Sequence, residues 1–394
     1  METGKGTMKL TSVNTYTGGT TIREGTVEIH GGSGGSGLVR GWVTVNAGGT
    51  LAITGGDGTG FGWNTPISHL TIHGGSVQAQ GGSHIGFGSF THVGLHQGGT
   101  ISGSWQWNGD SLLSFTSSGD STNEISGSLT LRSDAGANHT FDVADGAAAI
   151  DLRVNATLSD IDVSWLAPSH LIKAGNGTMA LTARNSYDGN TIIHAGKLIL
   201  GDGTSHSNLA DGAAVVVASG AKLHLDYSGT DTVSSLIFAG ISRPPGVYTS
   251  TNSPFITGSG SLTVTNGPSN VFAAWASLHQ VAGSANADDD HDGASNFAEF
   301  AFGQDPQKGP SFQPLTAIPD RATGTFHYTR RNATLSGLTF RVWTSTNLAD
   351  WTEDLGAVQT VIEQNSELQE VQVSLSQTLL NHQKLFVQIR AQDR

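Results

Sequence analysis

The residues whose spacing points most directly to chemistry lie in one acidic stretch, DDDHDGASNFAE, at residues 288–299. Counted from Asp288, carboxylates occupy the first, third, fifth and twelfth positions, and a glycine occupies the sixth. Calcium takes about six to eight oxygen ligands at flexible distances, and this spacing supplies them around one sharp turn. The predicted Ca²⁺ ligands are Asp288, Asp290, Asp292, the carbonyl of Ala294, Asn296 and Glu299.

This acidic stretch resembles the calcium loop of the EF-hand. It is similar in particular to the single calcium loops of dockerin-like and thrombospondin-type-3-like segments. The resemblance implies a bound Ca²⁺ ion and a short helix on each side of the loop. Asp289 and His291 occupy positions that supply no ligand in such loops. The alternative interpretation is an acidic linker that binds no metal.

A second candidate site is a group of histidines and tryptophans in the N-terminal third of the chain. His69 and His73 are predicted on the outward face of one strand, and His92 and His96 follow on the next, 23 residues later. If these strands stack, the four imidazoles form a two-by-two patch. The predicted patch consists of His69, His73, His92, His96, Trp63, Trp105 and Trp107.

Three interpretations of this patch remain open. Neutral imidazoles are good nitrogen ligands, so the histidines could bind Zn²⁺ or Cu²⁺. Exposed aromatic rings beside polar groups could instead stack on the apolar faces of sugar rings. The third interpretation is that stacked identical side chains merely cover the surface of a repetitive fold.

The sequence singles out no catalytic residue. Polysaccharide lyases and glycosidases need a base or a pair of carboxylates in a groove. Five aspartates lie close enough together near the middle coils to include such a pair by chance. These are Asp142, Asp145, Asp151, Asp160 and Asp162. Their spacing favours none of them, and the serines lack the G-x-S-x-G turn of a hydrolase nucleophile.

An internal repeat indicates which elements position these residues. Residues 4–30 align with residues 175–201 at about a dozen identical positions, including Asn14 with Asn185 and Tyr16 with Tyr187. Glycines at turn positions recur in the same register as the apolar strand residues. Recurrence of turns and strands together is typical of a stacked, repetitive architecture.

The two segments resemble the autotransporter-associated β-strand repeat, most clearly at Leu10, residues 14–21, Ile22 and Gly25. That family occurs in large bacterial surface proteins, so the resemblance implies a right-handed parallel β-helix and a secreted or cell-surface location. Met1 lies partway into a repeat, and the first ten residues lack the apolar core of a signal peptide. We therefore expect this chain to be a fragment of a longer exported protein.

A shorter motif recurs between the two copies, at VTVNAGGTL, LTIHGGSV and VGLHQGGTI. Each motif reads as a strand of alternating apolar and polar residues, followed by a polar corner residue and a pair of glycines. The number of residues from the second motif to the third is suited to one coil of a β-solenoid. Because side chains alternate between the two faces of a strand, the apolar residues of each motif should point inward. The predicted inward residues are Val43, Val45, Leu70, Ile72, Val93 and Leu95.

Composition agrees with a mostly β protein and excludes several classes of function. The 54 glycines do not follow a collagen triplet and indicate many tight turns. A net charge of −13 with no basic run argues against nucleic-acid binding. The absence of cysteine excludes disulfides and thiolate metal sites. No apolar stretch is long enough to predict a transmembrane segment.

The pattern changes after residue 266. Apolar residues at helical spacing from Phe272 and again from Asn296 predict two short helices around the acidic stretch. Alternating strands return from Thr325. The predicted domains are a β-helix at 1–266, a helix–calcium loop–helix at 267–303, a linker at 304–324 and a small β-sandwich-like domain at 325–394.

The favoured hypothesis for function is a non-enzymatic structural or passenger protein that displays calcium-stabilised C-terminal modules. One alternative is a carbohydrate-active β-helix protein, either a polysaccharide lyase, a glycoside hydrolase or a glycan binder, that uses the histidines and aromatic residues. Another is a subunit of an adhesive fibre. The expected partner is a polysaccharide or another cell-surface component, and the oligomeric state is left open.

Overall fold

The computed structural model describes residues 4–16, 18–30, 39–55, 58–59, 67–85, 92–108, 114–134, 137–161, 163–204, 209–267, 271–279, 281, 284–309, 313–364 and 367–393. It divides into two compact units. The first comprises Met1–Leu236 and Gly246–Thr265, and the second comprises Ile237–Pro245 and Asn266–Arg394. No helix in the described part of the chain is long and apolar enough to cross a membrane.

The strands that precede the helices are short, as expected for a chain with frequent glycine turns. In chain order they are β1 (Thr7–Leu10), β2 (Thr20–Ile22), β3 (Gly25–Ile29), β4 (Gly41–Asn46), β5 (Gly49–Ile53), β6 (Ile67–His73), β7 (Ser76–Ile85), β8 (His92–His96), β9 (Thr100–Asn108), β10 (Ser114–Ser118), β11 (Asn123–Ile125), β12 (Ser128–Arg132), β13 (Asn138–Val143), β14 (Leu152–Val154), β15 (Thr157–Asp160), β16 (His170–Ala174), β17 (Thr178–Leu181), β18 (Thr191–Ile193), β19 (Lys197–Leu200), β20 (Ala214–Val217), β21 (Lys222–Leu225), β22 (Thr230–Val233), β23 (Ser235–Phe238), β24 (Ile241–Ser242), β25 (Gly246–Tyr248), β26 (Ile256–Gly258) and β27 (Ser261–Val264).

Successive coils of the first unit stack as two long parallel sheets. One runs in the order β1-β3-β5-β7-β9-β11-β14-β17-β19-β21-β26, and the other contains β2-β4-β6-β8-β10-β13-β16-β18-β20. Consecutive members of each sheet are separated in sequence by the rest of a coil, so their backbones pair with the coil before and the coil after. The predicted parallel β-helix is therefore confirmed.

Aliphatic ladders fill the inside of this unit. Val43 pairs in register with Leu70, which pairs with Val93. Val45, Ile72 and Leu95 form the next ladder. All six side chains are at most 1% exposed, as the alternation predicted. Burying one such side chain stabilises the fold by roughly 1.5–3 kcal/mol.

The predicted helices and strands are present in the second unit, whose two sheets and two longer helices share one core. Its elements are α1 (Val271–Leu278), α2 (Asn296–Phe302), β28 (Leu315–Asp320), β29 (Thr325–Arg331), α3 (Ala333–Ser336), β30 (Leu338–Ser345), β31 (Thr352–Glu353), β32 (Val358–Gln364), β33 (Leu368–Ser374), a 3₁₀ helix (Gln377–Asn381) and β34 (Phe386–Asp393). The antiparallel sheets run β28-β29-β33-β32 and β31-β30-β34. Trp275 of α1 and Phe300 of α2 lie in the same buried cluster as Tyr328, Phe340 and Val371.

The segment predicted as a linker contains a strand. β28 pairs antiparallel with β29, and Ala317 lies opposite His327. Pro319 belongs to this strand. An edge strand tolerates proline because one side of its backbone has no partner strand, and β28 is such an edge.

Candidate functional site

Three aspartates of the acidic stretch converge in the structure. Asp288, Asp290 and Asp292 each offer a carboxylate oxygen within 4.8 Å of the others. The turn is closed by backbone N–H donors, because Gly293 N donates to Asp288 Oδ2 at 2.9 Å and Asp292 N donates to Asp288 Oδ1 at 3.2 Å. Gly293 has φ of 93°, a conformation that favours glycine. The loop geometry therefore holds three like charges close together.

Glu299 lies on the first turn of α2, where Ser295 caps the helix by accepting from Ala298 N at 3.2 Å. Its side chain is fully buried, and neither carboxylate oxygen has a hydrogen-bond partner among the residues that the structure describes. Burial and, to a smaller extent, the charges of Asp290, Asp292 and Asp288 together raise the pKa of Glu299 to about 7. Asp290 Oδ2 is likewise buried without a partner.

Two other predicted ligands have different surroundings. The amide of Asn296 is engaged within the protein, since Nδ2 donates to Ser284 O at 2.9 Å and to Asp289 Oδ1 at 3.2 Å. Its Oδ1 accepts from Asp289 N at 3.3 Å. Asn296 therefore hydrogen-bonds both to the loop and to Ser284 in the chain that precedes it. Ala294 is buried beside the aspartates, and its N–H donates to Asp292 Oδ1 at 2.8 Å.

Asp305 is a carboxylate near the loop that the sequence analysis missed. Its charge also raises the pKa of Glu299. Its own pKa is lowered, chiefly because it accepts a backbone hydrogen bond from Gln307. It lies six residues after Glu299, beyond the spacing that defines the loop, so the motif gave no signal for it.

The four histidines lie together on the outer face of adjacent coils. His69 pairs in register with His92, and His73 pairs with His96. The ring centroids of His73 and His96 are 4.7 Å apart in a stacked arrangement, and those of His69 and His92 are 6.0 Å apart. Coil stacking therefore brings all four predicted imidazoles into one patch.

Burial lowers the pKa of two of these imidazoles below the ordinary value of 6.5. For His92 the further cause is the charge of His69, and for His96 it is the charges of His73 and His92. Both effects disfavour the imidazolium ion, because charged groups are costly to desolvate and like charges repel. The neutral form, which is the metal-binding form, is favoured near pH 7.

Two of the three tryptophans of the predicted patch are not on this surface. Trp105 and Trp107 are each 1% exposed and lie in the core, where the ring of Trp107 packs against Phe115 and Phe141. Both are an even number of residues from buried Ile101, so strict alternation along β9 places them inside. Trp63 lies outside the described residues.

An exposed tryptophan that the sequence analysis overlooked does belong to the patch. Trp42 is 64% exposed and its ring stacks on His69 at 4.1 Å, with the two planes only 9° apart. It precedes buried Val43, so alternation along β4 points it outward. The column on this face is therefore Trp42, His69 and His92.

The aspartates of the middle coils mainly fix corners. Asp151 is buried and accepts from Gly146 N at 2.9 Å and from Thr178 N at 2.7 Å. Asp160 accepts from Ser169 N at 3.2 Å. These contacts give both carboxylates a structural role. Asp162 lies outside the described residues.

Two segments of the chain match the model of a known family, the passenger-associated-transport-repeat, at residues 3–29 and residues 171–200. They occupy equivalent strands, because the first contains β1, β2 and β3 and the second contains β17, β18 and β19. No curated protein and no solved structure matches the chain. These two segments are thus similar to a passenger-type repeat, and such a repeat suggests a secreted or cell-surface protein.

Proposed function

We propose that this chain is a non-enzymatic, passenger-type structural protein of the bacterial surface or exterior, and that one Ca²⁺ ion stabilises its C-terminal unit. The two repeat matches support the passenger role, and their strands occupy the same places in the coil. The observation that carries the calcium proposal is the unpartnered, buried carboxylate of Glu299 beside three aspartates.

The electrostatics favour a cation at this loop. A buried carboxylate without a hydrogen bond is costly, and further negative charges within a few ångströms raise that cost. A divalent cation bound by Asp288, Asp290, Asp292 and Glu299 offsets the repulsion and gives the Glu299 oxygens a partner. Oxygen-only donors on a flexible loop suit calcium better than transition metals.

Calcium titration by calorimetry tests this proposal. We expect about one Ca²⁺ per chain and a higher melting temperature when calcium is present, because a ligand that binds only the folded state stabilises it. Glu299→Gln should weaken calcium binding at least tenfold. Glu363→Gln is the matched control, since Glu363 is an exposed carboxylate on β32. Absence of heat and an unchanged melt in the wild-type chain would rule out the calcium role.

Surface labelling tests the passenger role. Antibody against the chain should label intact, unpermeabilised cells of the source organism or detect the protein in the culture medium. Labelling that requires permeabilisation would contradict an exported structural protein.

A second candidate function, glycan binding, is favoured by the exposed ring of Trp42. Its stack on His69 holds the indole in place on the outer face of the coils, where the apolar face of a sugar could pack. A glycan array should then show binding that Trp42→Ala abolishes. The variants His73→Ala and His96→Ala test whether the neighbouring pair of stacked histidines also contributes to binding. An assay for released reducing ends separates a binder from a glycosidase or lyase.

A further inference from the structure

Two imidazole nitrogens converge above one glycine on β8. His92, Gly94 and His96 occupy alternate positions of the strand, so they lie on the same outward face. A Cβ atom placed on Gly94 would lie 2.9 Å from His92 Nε2 and 2.8 Å from His96 Nε2. The rings therefore lean toward each other over a position where the chain has no side chain.

Within the described part of the chain, the hydrogen bond of the His96 ring is made by Nδ1, which leaves Nε2 to act as a ligand. Its Nδ1 lies 2.6 Å from Ser118 Oγ on the next coil. When Nδ1 donates its proton to that hydroxyl, Nε2 carries the lone pair. Histidines that bind metals commonly donate their other ring N–H in this way, which fixes both the tautomer and the ring orientation.

Neighbouring coils restrict the two rings. The ring of His73 stacks on His96, and His69 lies beside His92 with Trp42 stacked on its other side. The coil after Gly94 contributes Thr116, whose Oγ1 lies 3.4 Å from the same point above the glycine. Two nitrogens and one hydroxyl thus face the same point above Gly94.

We propose that His92 and His96 bind a divalent transition-metal ion of the type that prefers nitrogen ligands, Cu²⁺, Ni²⁺ or Zn²⁺, through their Nε2 atoms above Gly94. The metal–nitrogen distance in such sites is about 2.0–2.1 Å, which small rotations of the two rings provide. Water and the Thr116 hydroxyl complete the coordination. Cu²⁺ should bind most tightly, because affinity for a given set of donors increases along the series to copper.

This site is independent of the calcium loop. Its nitrogen donors belong to the first unit, whereas the proposed Ca²⁺ ligands in the second unit are all oxygens. The proposal selects the metal interpretation among the three that the sequence left open for the histidines. The lowered pKa values of His92 and His96 agree with it, because protons then compete less with a metal near neutral pH.

The test is calorimetric titration of the untagged chain with CuCl₂ and ZnCl₂ while excess Ca²⁺ occupies the acidic loop. We expect about one Cu²⁺ per chain. His92→Ala and His96→Ala should each weaken binding at least tenfold, and Gly94→Ala should do the same because its methyl group enters the space between the nitrogens. The control is His194→Ala, which removes an exposed histidine from another coil and should leave the affinity unchanged.

Two measurements on the wild-type chain make the outcome decisive even if a variant fails to fold. Electron paramagnetic resonance of the bound Cu²⁺ should show coupling to two nitrogens. Bound Zn²⁺ should protect His92 and His96 from diethyl pyrocarbonate, as read by mass spectrometry. No binding, a spectrum with oxygen ligands only, or equal modification of both residues with and without Zn²⁺ would overturn the proposal.

Discussion

Arg331 and Glu367 form a largely buried ion pair in the second unit, with Arg331 Nη1 donating to Glu367 Oε2 at 2.7 Å. Arg331 Nε also donates to Phe300 O at 2.9 Å, so the guanidinium ties β29 to α2, the helix that carries Glu299. The other oxygen of Glu367 accepts from Arg243 Nη2 at 3.2 Å. One carboxylate thus contacts two buried guanidinium groups.

Replacement of Arg331 should destabilise the second unit strongly. Arg331→Ala removes one of the two arginines that contact the buried Glu367 carboxylate and one of the two N–H donors to Phe300 O, so we expect a loss of about 3 kcal/mol in the free energy of unfolding. Arg341→Ala is the matched control, because Arg341 pairs with Glu353 at the surface and its side chain is 49% exposed. That variant should lose less than about 1 kcal/mol. Urea unfolding measures both, and equal losses would contradict the importance of burial.

The calcium-free protein should become less stable as the pH rises from about 4.5 to about 7. The pKa of Glu299 is raised from 4.5 to about 7 in the folded chain, so within this range the folded chain holds a proton that the unfolded chain has released. Stability falls with pH wherever the folded state binds more protons. The melting temperature in EGTA should therefore fall across this range relative to that of Glu299→Gln. A wild-type melting temperature that rose relative to that of Glu299→Gln as the pH increased would contradict this prediction.

Alanine at the turn glycine of the second repeat should be poorly tolerated. Gly196, the counterpart of Gly25, has φ of 66°, and an added Cβ would lie 2.3 Å from Gly177 O on the adjacent coil. Left-handed backbone alone costs a non-glycine residue about 1–2 kcal/mol, and the clash adds to it. Gly212→Ala meets no atom within 4 Å and should be neutral or slightly stabilising. Thermal unfolding distinguishes the two variants, and similar melting temperatures would refute the expected strain.

The two repeats offer a matched pair for measuring one hydrogen bond. The Tyr187 hydroxyl lies 2.6 Å from Thr191 Oγ1, and the equivalent atoms of Tyr16 and Thr20 are 2.5 Å apart. The Tyr187 pair is buried, whereas Tyr16 is 39% exposed. Tyr187→Phe should cost about 1 kcal/mol because Thr191 loses a partner away from water. Tyr16→Phe should cost less than about 0.5 kcal/mol. A larger effect at Tyr16 than at Tyr187 would exclude burial as the cause.

Much of this architecture could be predicted from the sequence because its signals are local and repeated. Alternation of apolar residues in VTVNAGGTL and its two counterparts identified the apolar side chains that point into the coil. The 23-residue step between coils placed His69 beside His92 and His73 beside His96. The spacing of the acidic stretch brought three aspartates together in the same way. Each of these patterns lies within one strand or loop or recurs at a regular step along the chain.

The tertiary structure decided what depends on neighbouring coils or on packing between distant elements. It turned a predicted linker into the edge strand β28. Burial of Glu299 without a hydrogen bond depends on the packing of α2 in its unit. Convergence of two nitrogens above Gly94 depends on ring orientations that the adjacent coils restrict. Sequence spacing determines which face a side chain occupies, but the direction of a ring and the presence of water depend on atoms far away along the chain.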